Sequence, residues 1–152
     1  MKDKKFNIRR KMREIALQIL FENEYSKCDY KVEERILELF NEFSSDYSDM
    51  KLRNTNIRFA KELIDGVLGK YQELDGYIHE FSDNWEFERI GKVDINILRL
   101  SIYELINVKD IPASVTINEA IEISKTFGDR GSYRFINGIL NSLRKSKSIE
   151  KF

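Results

Sequence analysis

Apolar residues recur at helical spacing along almost the whole chain. Met12, Ile15, Ala16, Ile19 and Leu20 share one face and predict a first helix over Ile8–Ser26. Ile36, Leu37, Leu39, Phe40 and Phe43 predict a second over Val32–Ser44, and the polar stretch Ser44–Lys51 reads as a loop. A long third helix is predicted from near Asn54 through Ile78, its stripe running from Ile57 and Ala60 to Tyr71 and Leu74. Gly66, Gly69 and Gly76 interrupt it and would suit close helix packing. Ser82-Asp83-Asn84 reads as a turn and Trp85–Ile90 as a short helical piece. Asp94 is a suitable N-cap for a helix over Ile95–Val108, whose apolar residues point almost all round, as in a central helix. Pro112 opens the next helix and Gly128 closes it. The last runs over Ser132–Lys145 with Ile136, Ile139, Leu140 and Leu143 as its core stripe, and Gly138 would let a neighbouring helix approach. The expectation is an all-α fold of about seven helices.

Composition agrees. A chain of 152 residues with 41% hydrophobic and 34% charged residues can bury a core as one domain. One Pro and seven Gly leave few helix breakers. A single cysteine, Cys28, cannot staple the fold internally, so a reducing cytoplasm is the simplest setting. No apolar run is long enough to span a bilayer, and no signal-peptide core follows the basic N-terminus.

The formal net charge of zero conceals a pattern. Residues 1–14 hold seven Lys/Arg against Asp3 and Glu14, and residues 125–152 hold seven against Asp129 and Glu150, so each end carries +5. The segment between them carries −10. Two basic ends on an acidic body suit a nucleic-acid surface if they meet; solvated termini are the plain alternative. Arg9, Arg10, Lys11 and Arg13 stand at the predicted start of a helix, where the macrodipole favours anions. A phosphate backbone would relieve that conflict, so the segment is read as loose when free and ordered on RNA. Leu17 and Phe21 fall off the first helix's stripe, on the side of Arg10, where Phe21 can stack a base or pack against a neighbour. On the last helix Tyr133 and Phe135 flank the stripe and Arg134 points away from it. Arg99, on the nearly all-apolar helix, needs either an internal carboxylate or a ligand. Asp94 either caps its helix or accepts hydrogen bonds from a base.

Enzyme signatures are missing. His79 and Cys28 form no recognisable nucleophile pair, and no zinc, EF-hand, Walker or dinucleotide motif occurs. Neither a catalytic residue, a metal nor a cofactor is expected.

Four segments carry a family resemblance: RRKMREIALQILF at 9–21, KVDINILRLSIYEL at 92–105, IPASVTINEAIEISKTFG at 111–128 and YRFINGILNSL at 133–143. The chain resembles the NusB transcription antitermination factors over nearly its whole length, and the last two blocks are the most specific. The resemblance implies one all-α domain, 1–152, of two packed helical subdomains, approximately 1–80 and 81–152. It implies RNA binding without catalysis: a heterodimer with the small-subunit ribosomal protein that acts as NusE, binding single-stranded boxA RNA of ribosomal RNA leaders within an antitermination complex on RNA polymerase. By position, the family's arginine-rich motif falls on Arg9, Arg10, Lys11 and Arg13. Its RNA-contacting aromatic falls on Phe21, its acidic residue before the central helix on Asp94, and the aromatic before Asn-Gly on Phe135. Many relatives have an acidic residue where this chain has Gly131. Homodimers occur in some relatives and stay open here. A related domain is fused to ribosomal RNA cytosine methyltransferases; no such catalytic domain is expected in this chain. The competing reading is a helical protein-interaction module whose basic ends bind an acidic protein partner.

Overall fold

The computed structural model describes residues 2–26, 31–43, 50–82 and 87–149, with side chains described outside 2–7 and 50–52. It contains seven α-helices: α1 Lys2–Tyr25, α2 Val32–Phe43, α3 Met50–Gly69, α4 Tyr71–Phe81, α5 Lys92–Asn107, α6 Ala113–Phe127 and α7 Ser132–Ser146. A short 3-10 turn, Phe87–Arg89, precedes α5. No strand occurs among the described residues, as the helical periodicity predicts. None of the described helices is long and apolar enough to cross a membrane. The predicted loop at 44–51 lies outside the described residues up to 49, as do Cys28, Asp83, Asn84 and Trp85.

Two compact units divide the chain within α3, Met1–Gly66 and Val67–Phe152. In the first, α1 packs on α2. Met12, Ala16 and Leu20 are buried, with Ile36 and Phe40 supplied by α2 and Ala60 and Leu63 by α3. Leu17, off the predicted stripe, is buried as well, so the apolar face of α1 is wider than its spacing suggests. Polar locks fix the register. Arg35 on α2 reaches Glu22 on α1 through two donors, at 2.6 and 3.2 Å, and Glu38 at 2.9 Å. Hydrogen bonding to Glu22 raises the Arg35 pKa further above its ordinary value, so it stays a fixed cation. Lys61 on α3 meets Glu33 on α2 at 2.9 Å.

In the second unit α5 is the axis, and every residue from Asp94 to Leu105 is buried. The helix packs against α4, α6 and α7. Arg99 finds its partner inside the protein: Nε and Nη2 donate to the two oxygens of Asp75 on α4, at 2.7 and 2.9 Å. Its guanidinium also lies 4.5 Å from the Tyr71 ring centroid and donates to Asn96 at 3.2 Å. Glu104 on α5 accepts a hydrogen bond from Thr116 on α6.

Three local expectations change. The predicted third helix is two helices, broken at Lys70, where φ −133° and ψ 26° leave helical space. Gly69, Gly76 and Gly138 face open space, so none of them makes room for a neighbouring helix. Helix α5 starts three residues early, at Lys92, with Gly91 rather than Asp94 at the N-cap. The extended backbone at Gly91 fits a cap position, and Asp94 stays in the first turn, where the helix dipole still favours its charge.

Candidate nucleic-acid interface

The second unit carries a cleft of about 490 Å³ where the turn between α6 and α7 faces the residues leading into α5. Arg89, Arg130 and Arg134 line it, with Phe135, Asp94, Asp129 and the segments Ile90 to Gly91 and Gly131 to Ser132. Three of the predicted site residues, Asp94, Arg134 and Phe135, are therefore brought to one place. Local sequence explains how. Gly131 sits at φ +88°, a left-handed conformation that costs glycine little, and it turns the chain sharply into α7. The apolar stripe of Ile136, Ile139, Leu140 and Leu143 then seats α7 on the core. That seating leaves Arg134 exposed and Phe135 half-buried. Arg134 is further braced by Tyr133, whose hydroxyl accepts a hydrogen bond from Nε at 3.0 Å.

Asp94 lines the cleft and is only 5% exposed. Burial raises its carboxyl pKa above the ordinary value, and the nearby Asp129 charge pushes the same way. Hydrogen bonds from the Ser132 hydroxyl and the Asp129 backbone N–H oppose the shift.

The first unit carries the other candidates, all on α1. The helix begins at Lys2, so Arg9 stands two turns inside it. The dipole effect is confined to the first turn, and the expected conflict between the arginines and the helix N-terminus does not arise. Residues 9–13 are helical in the structure, and two of their arginines rest on one aromatic ring. The Arg9 guanidinium lies 4.1 Å and that of Arg13 5.3 Å from the centroid of Phe59 on α3. Arg13 is only 7% exposed, Arg9 and Arg10 are half-buried, and Lys11 is exposed and pairs with Glu14 at 3.1 Å. Phe21 is half-buried, its ring set edge-on to Tyr25 at 5.0 Å. Tyr25 is the most exposed of the large hydrophobic side chains described.

Sequence reasoning missed Arg89, Arg130 and Asp129. Their signal was the concentration of charge and glycine in FGDRGS and ERIGK, two turns whose adjacency only the fold reveals. Among the described residues no group of three or more His, Cys, Asp or Glu is placed to hold a metal ion. His79 stacks on Phe87 at 4.3 Å.

Comparison with known proteins completes the picture. The model of the NusB family matches residues 10–145. Transcription antitermination protein NusB of Desulforudis audaxviator is 41% identical over 136 residues, which cover 89% of this chain and 91% of that protein. The protein of the same name from Geotalea uraniireducens is 44% identical, covering 89% of this chain and 92% of its own. Among solved structures, T. maritima NusB superposes with a TM-score of 0.74 at 36% identity, covering 90% of both chains. A chain from the crystal structure of antitermination factors NusB and NusE in complex with dsRNA gives 0.72 at 23% identity, covering 92% of this chain and 98% of that one, a likeness of fold. On the family match and the identity of these relatives, the chain belongs to the NusB family.

Proposed function

We propose that this protein is a transcription antitermination factor that binds boxA-type single-stranded RNA of ribosomal RNA leaders together with the small-subunit ribosomal protein NusE. It acts in the antitermination complex on RNA polymerase, in the cytoplasm, as a binding factor and not as an enzyme. The cleft carries the RNA part of this reading: three arginines and a half-buried aromatic converge on one glycine turn. Arginines answer the phosphates, and a ring beside them stacks a base in a sequence-tolerant way. Relatives named transcription antitermination proteins support the rest, at 41 and 44% identity.

In this reading Arg134 and Phe135 contact RNA from the second unit, and Arg9, Arg10, Lys11 and Phe21 from the first. Arg13 supports its neighbours through their shared ring, Phe59. A mobility-shift assay with boxA-type and scrambled RNA, with and without NusE, tests the proposal. Preference for boxA RNA, strengthened by NusE, is expected. No preference under either condition refutes it, and leaves a protein-interaction module with an acidic partner as the better account.

A further inference from the structure

The turn that shapes the cleft rests on a single buried carboxylate. Asp94 Oδ1 has no hydrogen-bond partner and is shielded from solvent. Beside it lies Gly128, the residue that ends α6. A Cβ on Gly128 would stand 2.5 Å from Asp94 Oδ1, 2.5 Å from Ser132 Oγ and 2.8 Å from the Ser124 carbonyl oxygen. The backbone there, φ −82° and ψ 176°, is open to any residue. Gly128 is therefore required by space and not by conformation, the reverse of Gly131, whose Cβ direction is empty. Only a hydrogen fits between the end of α6 and the Asp94 oxygen, and a Cα–H facing a carboxylate is a weak favourable contact. The Ser132 hydroxyl and the Asp129 amide both favour the charged carboxyl, and the hydroxyl itself donates to the Asp129 carbonyl at 2.8 Å. On the far side, a Cβ on Gly91 would stand 3.2 Å from Asp129 Oδ2. The start of α5, the end of α6 and the start of α7 thus close on one side chain. Oδ1 cannot reach a base unless the turn lifts away from it.

We propose that Asp94 is a positioning residue: it seats the Gly128–Ser132 turn on the first turn of α5 and so sets Arg130, Arg134 and Phe135, without itself touching RNA. The consequence for binding rests on the RNA-binding reading above; the seating itself does not. Asp94 and Gly128 are then one device, and disturbing either disturbs the same turn.

The test uses the full chain as wild type, Asp94→Asn, Gly128→Ala and the double variant. Two readouts are taken: amide hydrogen exchange over 128–132, and affinity for a boxA-type RNA and a panel with each base changed in turn. Each single variant is expected to speed exchange in the turn about tenfold. Each is expected to weaken every RNA of the panel by a similar factor, leaving base preference unaltered. The double variant should be no weaker than the worse single variant within about twofold, because residues acting through one element are not additive. Unchanged exchange in Asp94→Asn overturns the proposal. So does a changed base preference, which marks direct contact, or full additivity with Gly128→Ala. Should Asp94→Asn melt below the assay temperature, Gly128→Ala alone decides through the same two readouts. If the wild type binds none of the RNAs with or without NusE, the functional reading fails, and exchange in the turn still settles whether Asp94 seats it.

Discussion

Removing the carboxylate of Asp75 should cost this protein far more than a surface charge does. Arg99 has a side chain only 7% exposed, and Asp75 is 25% exposed. Their bond is bidentate, at 2.7 and 2.9 Å. Asp75→Asn keeps the shape and deletes the charge, leaving the guanidinium inside the second unit without this carboxylate. Breaking one half of a buried pair costs about 3–5 kcal/mol. Solvent reaches the Asp75 side, so the lower end, about 3 kcal/mol, is expected. At this chain length that is a fall of roughly 6–12 °C in melting temperature. Arg99→Met together with Asp75→Asn removes both charges and keeps the packing, and should recover most of the loss.

Thermal melts followed by circular dichroism measure the wild type and the two variants, and RNA affinity is taken well below each midpoint. The double variant should bind RNA within about twofold of wild type, since the pair ties α4 to α5 and is scaffolding. Two results would refute this account. A cost of under about 0.5 kcal/mol for Asp75→Asn would mean that water already screens the pair. A large affinity loss in a folded double variant would make Arg99 a ligand-binding group.

Three further outcomes follow from the interface. Phe135→Ala should weaken RNA binding by about 1–3 kcal/mol while the helix content holds, and an unchanged affinity in a titration would remove the ring from the site. If Arg9, Arg10, Lys11 and Arg134 meet phosphates, the plot of log K against log salt should have a slope of roughly −3, and a flat plot would refute the phosphate contacts. The third concerns pH. Burial raises the Asp94 pKa above 3.8, so its contribution to stability is largest below the unfolded value and is lost as pH rises through the folded one. The melting temperature of wild type relative to Asp94→Asn should therefore fall as pH rises from about 4, and a constant difference would contradict the shift.

The sequence made some of this legible and hid the rest for physical reasons. Helix α5 could be recognised as central because apolar residues surround it, and α7 because its stripe has a clean helical period. The break at Lys70 could not. Val67, Tyr71, Leu74 and Ile78 continue the same spacing across it, so the pattern stays in phase while the backbone leaves the helix for one residue. Arg134 and Phe135 were visible from the wheel of one helix. Arg89 and Arg130 were not, because each sits in a turn without period, and only the tertiary fold sets the two turns face to face. Gly128 and Gly131 look alike in sequence, yet one answers to space and the other to a left-handed φ.

Each unit prepares its cations before any ligand arrives. In the first, Arg9 and Arg13 share the Phe59 ring, which restricts side chains that would otherwise lose substantial rotamer entropy on binding. In the second, Tyr133 braces Arg134, and Asp94 underlies the turn that carries Arg130. If these arginines meet RNA, as proposed, the cost of ordering them is met during folding, and less of it is set against affinity. This inverts the picture drawn from charge alone. A run of cations at a chain end suggests a loose arm that orders on its target. Here the cations sit inside helices and on rings, so affinity should depend on buried groups that touch no phosphate. Phe59 is the sharpest case. It carries no charge and is buried, yet Phe59→Leu keeps most of the apolar volume while deleting the surface on which Arg9 rests. A protein relying on loose charge would tolerate that change, and one relying on preorganised charge would not.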